Sequence, residues 1–227
     1  MPLYKFISKK YHDAFFQSGS LRLGTIHDFK DIIKHNLGRG DNNEGRHYLS
    51  RDFNEIQSFK NVSSEPLLQE LFNFPDNVTL DIGMLTILSQ RVSADGFIFC
   101  SSGVFDLEIF KRWNKDYPEI DYCYEITEPE GFFSKITNKI KSSAFFIGEN
   151  YIDYAPDPIP YDSRSAAVYP AFTKEEKEFS WQREHRVMWA PLGPCLMIKP
   201  WVIEVPEARQ FCRPFAALEN GKIVAIK

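Results

Sequence analysis

Glu178-Phe179-Ser180-Trp181-Gln182-Arg183-Glu184-His185-Arg186-Val187-Met188-Trp189 is the stretch on which the reading of this chain turns. Its second half shows the apolar alternation of a β-strand, with Val187 and Trp189 two apart. Its first half carries Ser180, Gln182, Arg183 and Glu184, which strand formation does not ask for. Side chains two apart on an extended backbone project to the same side. Gln182 and Glu184 are therefore expected to face one substrate, the amide orienting it and the carboxylate stabilising a positive charge. The competing reading is a surface salt bridge between Glu184 and Arg186, with Gln182 in the turn before the strand.

Working outward, Leu3–Ile7 reads as a strand, and 10–17 as a helix stopped by Ser18-Gly19-Ser20, with Gly19 as a C-cap. Leu21 to Thr25 resumes as a strand. From His27 to Arg51 the chain turns polar. Its run Leu37-Gly38-Arg39-Gly40-Asp41-Asn42-Asn43-Glu44-Gly45-Arg46 has three glycines, which predicts a long loop of the kind that carries function. Residues 65–74 read as a helix, 78–87 and 97–101 as strands, and 106–114 as a helix with Phe105, Ile109, Phe110 and Trp113 at a spacing of three to four. Tyr122 to Ile126 is another strand. Pro156, Pro158 and Pro160 make 151–161 a strand edge or an extended connection. Thr173-Lys174-Glu175-Glu176-Lys177-Glu178 predicts a short surface helix capped by Thr173. A strand over 196–202 and a hairpin around Asn220-Gly221 complete the chain. The pattern of mixed elements without repeats or a composition break predicts one α+β domain over 1–227.

Composition bounds the function. A 43% hydrophobic and 26% charged chain of 227 residues is long enough for one sizeable core. No apolar run reaches the roughly 18 residues of a membrane helix. The start, Met1-Pro2-Leu3-Tyr4-Lys5-Phe6, has neither a basic region nor an apolar run of the secretory type, which predicts a cytoplasmic setting. The scattered Cys100, Cys123, Cys195 and Cys212 then read as reduced core thiols. A net charge of −4 argues against coating duplex DNA by bulk electrostatics. Lys135, Lys139 and Lys141 form a local basic cluster, read as the solvated face of a helix.

Two further sets hold candidate chemistry. Phe97-Ile98-Phe99-Cys100-Ser101-Ser102-Gly103 is an apolar strand that ends in two hydroxyls, a pattern also made by an ordinary turn. His27, His35 and His47 with Asp28, Asp41 and Glu44 suggest metal ligands by residue type, although the histidines lack helical i, i+4 spacing. The acidic loop from Asp41 to Glu44 reads better as the organiser of its own glycine-rich turn or as an aid to substrate positioning, and no metal is expected.

In order, these motifs resemble the ADP-ribosyltransferase fold. That fold has a first strand with a nucleotide-facing polar residue, here Tyr4 or Lys5. A strand ending in a Ser-Thr-Ser-like run follows, here Cys100-Ser101-Ser102, and then a Gln/Glu-x-Glu motif leading into a strand, here Gln182-Arg183-Glu184. The chain also resembles a bacterial family of uncharacterised domains in Tyr4-Lys5-Phe6, in the acidic loop Asp41 to Gly45, in Ser101 with Trp113, and in Trp181 to Arg186. Two departures stand out: Ser-Ser-Gly replaces Ser-Thr-Ser, and the first strand has no arginine.

The resemblance implies a split β-sandwich with peripheral helices, and an NAD-dependent ADP-ribosyltransferase acting as a bacterial toxin or anti-phage effector. NAD is then the substrate, nucleic acid or protein the acceptor, and an antitoxin protein a possible partner; no membrane is involved. Glu184 is implied as the catalytic carboxylate that stabilises an oxocarbenium-like state, and Gln182 as the acceptor contact. Ser101 and Ser102 would support Glu184 and the ribose, and Lys5, Arg22 or Arg39 the pyrophosphate. An aromatic ring would stack on the nicotinamide. The alternatives are a catalytically silent nucleotide- or protein-binding module of the same fold, and a metal-dependent nuclease built on Asp41 and Glu44.

Overall fold

A computed structural model describes residues 1–31, 33, 35, 40–60, 65–71, 78–193, 197–219 and 222–226. In chain order the elements open with β1 (Leu3–Ile7), α1 (Lys9–Ser18), β2 (Ser20–Thr25), α2 (Ile26–Lys30), β3 (Arg46–Phe53), β4 (Gln57–Phe59) and α3 (Pro66–Leu71). They continue with β5 (Leu80–Ile82), β6 (Leu85–Val92), β7 (Phe97–Ser102), α4 (Leu107–Asp116), β8 (Tyr122–Ile126) and α5 (Pro129–Ile140). Then follow β9 (Ala144–Tyr151), β10 (Asp153–Ala155), β11 (Ile159–Pro160), β12 (Thr173–Glu175) and α6 (Glu176–Phe179). β13 (Glu184–Pro191), β14 (Trp201–Glu204), β15 (Cys212–Glu219) and β16 (Lys222–Ala225) close the order. The fold is α+β with a large antiparallel sheet.

Nine strands form that sheet, in the order β14-β2-β7-β1-β8-β15-β16, with β13 on the other side of β7 and β9 beyond it. The sheet forks at β7. Near its start, Phe97 and Ile98 pair with Thr25 and Gly24 of β2; at its end, Ser102 pairs with Tyr4 of β1. Between the prongs, the Lys5 ammonium donates to the Cys100 carbonyl at 2.5 Å, so a side chain satisfies an acceptor in the fork.

Both faces of β13 are covered. On one, Phe97, Phe99, Val187 and Trp189 pack with Phe132, Phe133, Ile136 and Ile140 of α5 in the main core. Those four α5 residues recur at helical spacing, behind Pro129 at the start of the helix, where its missing N–H costs nothing. On the other face Ile98 and Met188 meet Ile26, Ile152, Ala171 and Phe172. Phe110 of α4 packs on Phe6 at 5.2 Å between ring centres, and Asp106 caps that helix by accepting from the Glu108 N–H. Gly19 ends α1 at φ 75°, donating to the Phe15 carbonyl at 2.7 Å. A Cβ at Gly19 would lie 2.4 Å from the Val205 carbonyl carbon, so glycine is required there on both counts.

Several expectations need correction. The polar segment 27–51 is not all loop: α2 and β3 bound it, and residues 36–39 lie outside the described residues. The single strand expected over 78–87 is two, broken at Gly83 and Met84, where Met84 adopts φ 55°. β9 had no counterpart in the sequence reading, because its Phe145, Phe146 and Ile147 are consecutive, all exposed, and show no alternation. The helix expected from Thr173 is instead the strand β12 followed by a single turn. Glu175, not Thr173, caps it, accepting from the N–H groups of Lys177 and Glu178. The late strand is Trp201–Glu204 rather than one starting at 196. β15 and β16 do pair antiparallel, Glu219 opposite Lys222, while Asn220 and Gly221 lie outside the described residues. Lys139 and Lys141 are exposed on and beside α5, as the solvated-face reading has it.

Candidate active site

The fork in the sheet opens into a cavity of about 490 Å³. β1 lends it Tyr4 and Lys5, β2 lends Arg22, β7 lends Ser101 and Ser102, and the entrance of β13 lends Gln182 and Glu184. Arg39 lies outside the described residues. Residues far apart in sequence meet here because β7 sits between β1 and β13, with Ser102 opposite both Tyr4 and Glu184.

Gln182 and Glu184 converge, though not by the expected route. Gln182 belongs to a 3-10 turn over Ser180–Gln182, and Arg183 is left-handed at φ 48°, ψ 43°. The strand begins only at Glu184. The two side chains meet on a third residue: Lys174 Nζ lies 3.3 Å from Gln182 Oε1 and 2.7 Å from Glu184 Oε2. The sequence reading put Lys174 on a surface helix, yet it is 8% exposed.

Alternation on β13 sets Glu184 and Arg186 on one face, opposite Ser102 and Cys100. The Arg186 guanidinium donates from Nε to Glu184 Oε1 at 2.9 Å, and from Nη1 to Glu44 Oε1 at 2.5 Å and to the Ala171 carbonyl at 2.6 Å. Lys174 Nζ also stands 3.8 Å from Glu44. Glu44, Lys174, Glu184 and Arg186 thus form a buried four-ion network of two cations and two anions. The surface pair weighed from sequence is a real ion pair, but a buried one. Such a network holds because each charge has its counter-charge and hydrogen bonds; loss of one member strands another in a dry site.

Electrostatics follow from that arrangement. Burial alone would raise the Glu184 pKa, but Arg186 and Lys174 outweigh it and hold the carboxyl well below its usual range. Burial disfavours the Lys174 ammonium too, yet Glu184 and Glu44 keep it charged, its pKa raised overall. Burial and the nearby Glu184 push the Cys100 thiol up to about 12, so it stays protonated and inert as a nucleophile. The same two causes take Tyr154 to about 12, and its hydroxyl accepts from the Glu184 N–H at 2.8 Å. Burial, with Glu44 second, raises Asp41 to about 6. Asp41 organises its own turn, accepting from the Asn43 N–H at 2.7 Å.

The serine hydroxyls do not reach the Glu184 carboxylate as expected; they hold backbone. Ser102 Oγ shares its one proton between the carbonyls of Val104 and Gln182, at 2.9 and 3.1 Å, and Ser101 Oγ donates to the His185 carbonyl at 3.4 Å. They fix the turn that carries Gln182 and the start of β13. Arg22 pairs with Asp28 at 2.5 Å while lining the cavity. Tyr4 donates to Glu125 at 3.3 Å and packs among Phe105 and Phe215.

No family model, curated protein or solved structure matches this chain. Among the described residues no three His, Cys, Asp or Glu side chains are grouped to hold a metal ion. Of the residues considered as ligands, Glu44 takes Arg186, Asp28 takes Arg22 and lies 3.1 Å from His35, and His47 Nδ1 faces the Thr173 hydroxyl at 3.1 Å. Of Cys100, Cys123 and Cys212, none is in a disulfide, and Cys195 lies outside the described residues. No described helix is long and apolar enough to cross a membrane.

Sequence reasoning missed Lys174, and it missed that Glu44 and Arg186 are partners. A lysine in a run of six polar residues carries no local sign of burial. The sequence hint was Arg186 directly before the apolar run Val187-Met188-Trp189-Ala190 of β13.

Proposed function

We propose that the chain binds NAD in the fork of its sheet and transfers ADP-ribose from it to an acceptor. One observation carries the reading: the three motif strands β1, β7 and β13 are adjacent, and their Lys5, Ser101, Ser102 and Glu184, with Gln182 from the turn before β13, line one cavity. At about 490 Å³ the cavity falls in the range of sites for small molecules and cofactors. Lys5 and Arg22 supply cations for a pyrophosphate, and Phe99 and Trp113 supply aromatic wall. In the reaction the bond between ribose C1′ and nicotinamide nitrogen breaks, and its electron pair leaves with nicotinamide. The acceptor lone pair forms the new bond to C1′. Glu184, ionised and fixed at the head of β13, lowers the energy of the oxocarbenium-like state, and Gln182 orients the acceptor. A bacterial toxin or anti-phage effector remains the setting the motif resemblance suggests.

A second reading, a nucleotide-binding module without turnover, is favoured by the pairing of Glu184 with Lys174 and Arg186, which offsets its charge. A metal-dependent nuclease would draw on Glu44, whose carboxylate is instead taken up by Arg186 and Lys174.

Labelled NAD incubated with the full chain and separate pools of DNA, RNA and protein tests the proposal. The expected result is nicotinamide release with label on one pool, and in Gln182→Ala a loss of turnover of about tenfold or more with NAD binding kept. Binding without release in any pool selects the module. Absence of both binding and release overturns the proposal.

A further inference from the structure

The transfer leaves one proton to place. An acceptor hydroxyl or amine must lose it as the bond to C1′ forms, and Glu184, clamped by two cations, is too weak a base to take it. His35 lines the same cavity, and Asp28 stands behind it. His35 Nε2 lies 3.1 Å from Asp28 Oδ2, off the straight hydrogen-bond line, and both side chains are buried. Loose alignment of this kind is common before substrate binds and tightens in the complex. The Asp28 carboxylate also receives Arg22 Nη2, while its N–H donates to the Thr25 hydroxyl at 3.0 Å. The Tyr117 hydroxyl donates to the His35 carbonyl at 2.8 Å, and the Phe29 ring tilts against the imidazole at 5.5 Å. His35, Arg22, Phe29 and Glu119 all contribute to the cavity wall.

We propose that His35 is the general base of the site and that Asp28 is its positioning residue. The inference rests on the transferase reading above. With Nε2–H turned to Asp28, Nδ1 keeps its lone pair and takes the acceptor proton as the oxygen or nitrogen attacks C1′. The proton then passes to solvent, nicotinamide carries off the electron pair of the broken bond, and charge balances. This divides the work between two buried carboxylates: Glu184 stabilises charge and Asp28 orients a base. Among the described residues, the charged groups facing His35 are Asp28 from α2 and, through it, Arg22 from β2; Glu119 shares the cavity.

The test follows nicotinamide release by the full chain across the range of imidazole ionisation, in wild type, His35→Gln and Asp28→Asn. Wild type is expected to show a rate that rises with pH through one ionisation. His35→Gln is expected to lose that limb and about a hundredfold in kcat with KM for NAD unchanged. Asp28→Asn is expected to keep the limb at a shifted position with a smaller loss. Azide, an anion with no proton to give up, is expected to restore turnover in His35→Gln. Near-ultraviolet circular dichroism checks that each variant is folded, and if His35→Gln is not, the displaced limb in Asp28→Asn decides. A wild-type rate and limb in His35→Gln, or failure of azide to restore it, overturns the inference alone. No release from wild type with any acceptor overturns the transferase reading and the inference with it.

Discussion

The two faces of the β7–β13 pair differ more than any other neighbouring parts of the molecule. On one face Phe97, Phe99, Val187 and Trp189 are sealed under α5, and any side chain of suitable size and polarity serves. On the other, two residues of the same strand, Glu184 and Arg186, are equally buried but tied to Glu44 and Lys174 by charge. The apolar face tolerates loss in proportion to volume. The charged face tolerates change only in matched pairs, because its stability depends on neutrality rather than on area.

The largest effect should come from breaking that neutrality. Arg186→Ala leaves Glu44 and Glu184 facing one lysine and is expected to cost about 3–5 kcal/mol in urea denaturation. Adding Glu44→Gln should return at least about 1 kcal/mol, a coupling that double-mutant analysis reads directly. Val187→Ala, on the sealed face, is expected to cost about 2 kcal/mol, and no second substitution among the four ions should change that figure. Equal recovery on both faces would erase the distinction.

A smaller effect probes the edge of the network through pH. The Asp41 pKa is about 6 in the fold against an ordinary 3.8. Between those values the folded chain binds the proton more tightly than the unfolded one, so ionised Asp41 costs stability above its folded pKa. That cost fades as pH falls through 6 towards 4. Asp41→Asn should therefore be more stable than wild type by about 1–2 kcal/mol near about pH 7.5, with the difference gone by about pH 4. A constant difference across that range would mean that the Asp41 charge is not the cause.

The same contrast explains what the sequence made legible. The limits of β1 and β8 were readable from short runs of apolar and aromatic residues of the kind that strands favour. The terminal glycine of α1 was readable because a local backbone need selects a local residue type. Glu184 and Gln182 stood out because they broke a pattern. Lys174 did not, because its run of polar neighbours matches an exposed helix, and its burial comes from partners in β13 and beside β3. Glu44 and Arg186 are 142 positions apart, and no periodicity links them. The fork of the sheet, which makes the cavity, depends on β7 accepting two partners on one edge, a fact of topology that residue types do not encode.

Occupancy of the fork by NAD is tested most directly by calorimetric titration of NAD into the full chain, run beside Lys5→Ala. Lys5 bridges the fork to the Cys100 carbonyl and lies 4.7 Å from the centre of the Phe99 ring. Binding at a single site in wild type, weakened about tenfold (1.4 kcal/mol) in a Lys5→Ala variant that remains folded, is the predicted result. No heat of binding, or equal affinity in the two proteins, would contradict it.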